Sequence, residues 1–175
     1  MSFATLMRRA RFVHIALAQL AMALLHPGAQ AEVPEIKGHA IAADGDTMLI
    51  GKDIIQLTGI DAPELGQKCR RLDGAQWDCG LDARRRLAEA IGDRPVSCRQ
   101  LDFDVFGRIF ATCATSNGDD LAAAMVHSGY ALADGPEQLY LAEEMTARVA
   151  GEGMWSGSFQ TPWEWRAQQP EAEDE

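Results

Sequence analysis

The chain has 175 residues, with 26 acidic side chains against 16 basic ones and a net charge of −10. That length bounds it to about one domain once any processed end is set aside. The acidic excess argues against a protein that grips nucleic acid through a broad basic surface, because phosphate contacts supply most non-specific affinity.

The first segment does not read as part of a fold. Arg8, Arg9 and Arg11 precede an apolar run at residues 15–25, and Ala29-Gln30-Ala31 closes it with a small-x-small cleavage signature. The run is too short for a stable membrane anchor. Residues 1–31 are therefore expected to be a signal peptide, which implies export to the periplasm or the medium. Cleavage leaves 144 residues carrying 13 basic and 26 acidic side chains, a charge of −13. Residues 32–35 read as a polar lead-in, 36–166 as one domain and 167–175 as a disordered acidic tail. No later segment is apolar for long enough to cross a membrane.

Three short strands are expected between residues 39 and 60. The first ends at Ala43, where Asp44-Gly45 signals a hairpin turn. Residues 47–50 form the second, Gly51-Lys52-Asp53 turn the chain, and residues 54–60 form the third. In that third strand Ile55 and Leu57 share one face and Gln56 takes the other. Pro63 ends the pattern, and a loop with Cys69 and Cys79 leads to a helix over 82–91, whose stripe is Ala83, Leu87, Ala90 and Ile91. Its Arg84-Arg85-Arg86 triplet fits a solvated face.

Residues 96–103 and 108–115 flank the turn 104–107. A symmetric hairpin loop there places Cys98 opposite Cys113, so the expected disulfides are Cys98–Cys113 and Cys69–Cys79. A second helix is capped by Asp119 or Asp120, shows Leu121, Ala124, Met125 and Ser128 as its stripe, and ends at Gly129. A third opens at Pro136, with Leu141, Met145 and Val149 as its stripe and Gly151 as its stop. Trp155, Phe159, Trp163 and Trp165 mark a final segment expected to pack onto the barrel. Five strands with about three helices make an α+β chain, mainly β, built on a small OB-fold barrel.

Asp46, Asp61 and Glu64 are the candidate chemical groups. The second and third strands form a hairpin that should return Asp61 towards Asp46, giving two carboxylates for a hard cation. Glu64, beyond the rigid Pro63, can orient or deprotonate water.

Three ordered motifs, Asp44-Gly45-Asp46-Thr47, then residues 56–64 (Gln56-Leu57-Thr58-Gly59-Ile60-Asp61-Ala62-Pro63-Glu64), then Phe106-Gly107-Arg108, resemble those of the staphylococcal-nuclease-like (thermonuclease) family. The ending Gly153-Met154-Trp155 with Pro162-Trp163-Glu164-Trp165-Arg166 is similar to exported bacterial members. The resemblance implies an OB barrel and a calcium-dependent hydrolase of DNA and RNA; single-stranded DNA or RNA is the expected partner and a monomer the expected state. It implies Asp46, Asp61 and the Ala62 carbonyl as Ca2+ ligands, Glu64 as general base and Arg108 as the phosphate-polarising residue. Three positions depart from the pattern. The family's second arginine is Gln56 here, its Lys-Tyr pair before the arginine is Val105-Phe106, and an aromatic residue after the second helix is replaced near Asp134. Glutamine keeps a donor and loses the charge and the guanidinium fork. The expectation is an attenuated enzyme, or else a non-catalytic binding module on the same fold.

Overall fold

The computed structural model describes residues 33–169, so the signal expected at 1–31 and the end of the acidic tail lie outside the described residues. Five strands close a barrel in the order β1 (Glu35–Ala42), β2 (Thr47–Ile50), β3 (Asp53–Leu57), β8 (Ile109–Thr115) and β7 (Pro95–Phe103). All neighbours are antiparallel except β3 and β8, and β1 pairs with β7 to complete the circle. This is an OB-type barrel, and closure leaves no free sheet edge.

Period-two patterning sends Met48, Ile50, Ile55, Leu57, Val96 and Ala111 inward, all buried. Two helices seal the barrel. Helix α1 (Cys79–Ile91) buries Ala83, Leu87 and Ile91, and α2 (Leu121–His127) buries Leu121, Ala122, Met125 and Val126, all in the barrel's hydrophobic cluster. Burying the leucine, isoleucine, methionine and valine among them is worth about 1.5–3 kcal/mol each. Arg85 and Arg86 pair with Asp82 and Glu89 on the solvent side of α1.

Both cysteine pairs are bonded: Cys69 to Cys79, with Cα atoms 5.6 Å apart, and Cys98 to Cys113, at 4.1 Å. The second spans the inside of the β7–β8 hairpin. Its register matches the symmetric-loop expectation by compensation. Near the turn the pairs are Phe103–Ile109 and Asp102–Phe110, one residue off, because Asp104 N–H donates to the Arg108 carbonyl across a longer loop. A bulge at Leu101 absorbs the extra residue, and from Gln100–Ala111 inward the expected pairing resumes.

The chain differs from the sequence expectation in several places. The third strand stops at Leu57, and Gly59, with φ of 81°, turns the chain so that β4 (Ile60–Asp61) pairs with β9 (Leu132–Ala133) outside the barrel. In α2 the buried pair beside Leu121 and Met125 is Ala122 and Val126, while Ala124 and Ser128 are only half-buried. Helix α3 (Leu141–Ala150) starts five residues beyond Pro136, which sits in a turn. Its expected core stripe, Leu141, Met145 and Val149, faces solvent, and Ala147 is its buried residue. The neighbouring α2 is lined with alanines, so α3 approaches closely through a small side chain instead of branched ones.

The aromatic ending packs on the Cys69–Cys79 loop instead of the barrel wall. Trp155, Phe159 and Met154 join Cys69, Cys79 and Leu132 in a second apolar cluster, and β10 (Gly157–Ser158) pairs with β5 (Cys69–Arg71), itself paired to β6 (Gln76–Trp77). A 3-10 turn (Gly153–Ser156) precedes it. A fourth helix, α4 (Pro162–Arg166), was not expected; Thr161 and Glu164 form a reciprocal capping box with Pro162 at its start. Its hydrogen bonding continues through Gln169, into the segment expected as tail.

Candidate active site

Asp46 leaves the end of the β1–β2 turn, where the Asp44 side chain accepts hydrogen bonds from the Asp46 and Thr47 amides at 3.0 and 2.7 Å. Only glycine fits at position 45, because a Cβ there would lie 2.7 Å from the Ala62 Cβ and 2.8 Å from the Ala83 Cβ. That close approach brings the turn against the Ala62 backbone, whose N–H donates to Asp46 Oδ2 at 3.2 Å. The strand hairpin alone does not do this. It sets the Asp46 carbonyl against Leu57 N–H, and the Gly59 turn then folds residues 60–62 back towards the carboxylate. The Ala62 backbone thus reaches the Asp46 carboxylate by this turn and not by the expected hairpin, while the Asp61 carboxylate faces Arg166.

Asp46 is 7% exposed, and its other oxygen accepts from Thr47 Oγ1 at 2.9 Å. No cationic side chain among the described residues pairs with it. Burial, reinforced by the charge of Asp44, pushes its pKa up to about 8, against the stabilising bonds from Ala62 and Thr47. A buried acid without a cation, beside a second acid, fits a hard divalent ion. Among the described residues no three His, Cys, Asp or Glu side chains form a metal cluster, so such an ion would take its remaining ligands from main-chain oxygens and water.

Glu64 is held by its backbone. Its N–H donates to the Gln67 side chain at 3.3 Å, its carbonyl accepts from Gln67 N–H at 2.8 Å, and Gly80 of α1 packs against that carbonyl so tightly that a Cβ would overlap it. Gln67 is fully buried and also donates to the Gln160 carbonyl at 2.7 Å, tying the Glu64 loop to the C-terminal segment.

Arg108 rises from the β7–β8 hairpin and is anchored to its own loop, with Nε donating to Asp104 Oδ2 at 2.7 Å. Against partial desolvation, the bonds from the Arg108 side chain and from the Arg108 and Phe106 amides hold the Asp104 carboxyl below its ordinary pKa. Val105 and Phe106 are almost fully exposed at the tip.

Gln56 stands on β3 opposite Thr47 and beside Phe110, on the outer face of the barrel. Its Oε1 is buried without a hydrogen-bond partner. Together Asp44, Asp46, Gln56, Glu64 and Arg108 line one polar cleft of about 320 Å³. The structure thus gathers the Gln56 side chain and most of the expected chemical groups around a single space.

Arg166 also lines that cleft. Its Nη1 and Nη2 donate to Asp61 Oδ1 and Oδ2 at 2.8 and 3.0 Å, and Nη1 donates to Glu64 Oε1 at 2.8 Å. The Asp61 bonds hold the guanidinium pKa above its ordinary value. In the sequence Arg166 stands only within the ending motif. The Thr-Pro-x-Glu pattern at 161–164 was the available signal, since it announces a helix that carries Arg166 one turn on. Asp44 stood in a quoted motif without a role, and Gln67 had no sequence signature.

Comparison with known proteins settles the family. Residues 54–157 match the model described as staphylococcal nuclease homologue. The chain belongs to that family. It is 35% identical over 138 residues to the succinoglycan biosynthesis protein ExoI of Rhizobium meliloti (strain 1021), covering 77% of this chain and 71% of that protein. It is 31% and 30% identical over 138 residues to the probable staphylococcal-like nucleases CAN2 and CAN3 of Oryza sativa subsp. japonica. Each rice alignment covers 75% of this chain but only 34% and 33% of those proteins, about a third of their length.

Proposed function

We propose that this nuclease-fold protein is an exported, monomeric, calcium-dependent phosphodiesterase, attenuated in rate, that cleaves single-stranded DNA or RNA. The observation that carries the reading is the single cleft in which Asp46, Glu64 and Arg108 converge. Asp46 and Asp61, with the Ala62 carbonyl, are the residues that would hold calcium, whose chemistry when bound is to neutralise charge on the phosphate. Glu64, fixed through Gln67 and Gly80, accepts the proton of the attacking water. Arg108 directs its remaining donors to the phosphate oxygens, and its ion pair with Asp104 limits where they point. Gln56 supplies no charge at the transition state, which accounts for the attenuation. Two disulfides and the basic-apolar-small pattern of residues 8–31 support export. Among the described residues no helix is long and apolar enough to cross a membrane.

A second reading is supported by one observation. The Arg166 guanidinium already neutralises Asp61 and Glu64, as it would in a non-catalytic binding module. Calcium-dependent cleavage of single-stranded DNA by the purified protein separates the two. The enzyme reading expects cleavage that chelation and Glu64→Gln each abolish. No cleavage at any calcium concentration, by a folded protein, leaves the binding module.

A further inference from the structure

A guanidinium carries five N–H donors on a rigid plane. Arg166 spends three of them. Its end edge, Nη1 and Nη2, forks onto both oxygens of Asp61, and the second Nη1 hydrogen reaches Glu64. The side edge, made of Nε–H and the second Nη2 hydrogen, has no acceptor among the described residues. Because two carboxylates fix the plane, that edge has a fixed direction. The side chain is 46% exposed and borders the same cleft as Arg108 and Gln56.

The C-terminal segment does not need this arginine as an anchor. Gln67 bonds to the Gln160 carbonyl, Pro162 is buried, β10 pairs with β5, and the Trp165 ring lies where a Cβ on Gly66 would meet it at 3.6 Å. Helix α4 is therefore seated by other contacts, and its last residue is delivered into the cleft.

We propose that Arg166 is the second phosphate-binding guanidinium of this cleft. It presents its Nε–Nη2 edge to a phosphodiester oxygen pair and supplies from α4 the charge that Gln56 cannot supply from β3. Asp61 and Glu64 preorganise it, so little rotamer freedom is lost when phosphate binds. The inference rests on the nuclease reading above, and its test is chosen to separate the two.

The test is binding of an oligothymidylate of roughly six nucleotides, within the reach of one OB barrel, across a salt series without divalent ions, followed by calcium-dependent cleavage. Arg166→Gln should weaken binding about tenfold or more and reduce the salt slope by about 0.7, the value of one phosphate contact on a single strand. Arg166→Lys should keep the slope and lose part of the affinity, since it keeps the charge and loses the fork. In cleavage the Gln variant should raise KM and lower kcat. Unchanged affinity and slope in both folded variants, with cleavage by the parent intact, overturns the assignment and leaves the nuclease reading standing. A parent protein that neither binds nor cleaves overturns both. Should Arg166→Gln fail to fold, the lysine variant still decides, because a purely structural role predicts lower melting temperature with no change in affinity.

Discussion

Gln56→Arg is the change that most directly tests why the cleft should be slow. The side chain lies on the outer face of β3, opposite Thr47, so a longer residue meets the cleft and not the core. The native amide leaves Oε1 buried and unpaired. Removing a buried unsatisfied acceptor is worth about 1–3 kcal/mol. The arriving guanidinium also meets an acidic wall, since Thr47 opposite is hydrogen-bonded to Asp46, which lacks a cationic partner. In chelator the variant should therefore melt higher, by about 3 °C for each kcal/mol gained in a chain of this size. Activity should rise about tenfold, equivalent to about 1.4 kcal/mol of added transition-state stabilisation. If Arg166 serves the same phosphate, the gain should be larger in an Arg166→Gln background, a coupling that a double-mutant cycle measures. The assay is calcium-dependent cleavage of single-stranded DNA by the four proteins, with Glu64→Ala as the chemical control. A folded, more stable Gln56→Arg protein with unchanged cleavage would refute the idea that phosphate sits beside β3.

Four further outcomes follow from the geometry. Calcium should raise the melting temperature of the parent and leave Asp46→Asn unmoved, because only an ion bound to the native state stabilises it; an equal rise in both would put the ion elsewhere. Without metal, Asp46 has a folded pKa of about 8 against an ordinary value of 3.8, so the folded state holds the extra proton between them. The stability this group contributes is full below the lower value and is lost as pH rises through the higher one. Parent minus Asp46→Asn stability, from urea melts in chelator, should fall across that window, and a flat difference would contradict the burial argument. Replacing both Cys98 and Cys113 by alanine should cost about 3 kcal/mol in urea unfolding, from the 15-residue separation they close, and a loss under about 1 kcal/mol would mean the β7–β8 hairpin is already ordered in the unfolded chain. Asp120→Ala removes the α2 cap and the acceptor of the Tyr140 hydroxyl. It should cost about 1 kcal/mol and lower the Tyr140 pKa from about 12, where burial and then Asp120 hold it; an unchanged phenol titration would assign the shift to burial alone.

What sequence could show and could not show divides along the range of the interactions involved. The barrel strands were legible because alternation is local: Ile55 and Leu57 must face one way if Gln56 faces the other. The Cys98–Cys113 pairing was legible because a hairpin converts sequence distance into spatial distance, and the Leu101 bulge happened to restore the count. Helix α3 was misread because Leu141, Met145 and Val149 have core chemistry at core spacing, yet the approach to α2 left room only for Ala147. No local rule contains that outcome. Arg166 is the sharper case. It lies 105 residues from Asp61 and 102 from Glu64, so no pattern in either neighbourhood points to the other.

The same distance explains what the C-terminal segment does for the cleft. A barrel of five short strands carries Asp46, Gln56 and Arg108 on its strands and the turns that join them, but each of those segments contributes only what its own sequence carries. Where β3 offers glutamine, charge has to arrive from outside the barrel. The route is visible in the contacts: Gln67 ties the Glu64 loop to Gln160, the Thr161–Glu164 box starts α4 at a fixed point, and one turn of helix later Arg166 meets Asp61 and Glu64. Loss of the Gln67 bond should act in the same direction as loss of the arginine but by less, because β10, Pro162 and Trp165 still hold the segment. Gln67→Ala leaves the barrel and both disulfides in place, yet removes the buried bond to the Gln160 carbonyl and the side-chain acceptor of the Glu64 amide. It should therefore weaken oligonucleotide binding and lower the salt slope, by less than Arg166→Gln does, with the barrel's far-ultraviolet spectrum unchanged. Full affinity and an unaltered slope in that variant would show that α4 finds its place without the Gln67 bond, and the route drawn here would be wrong.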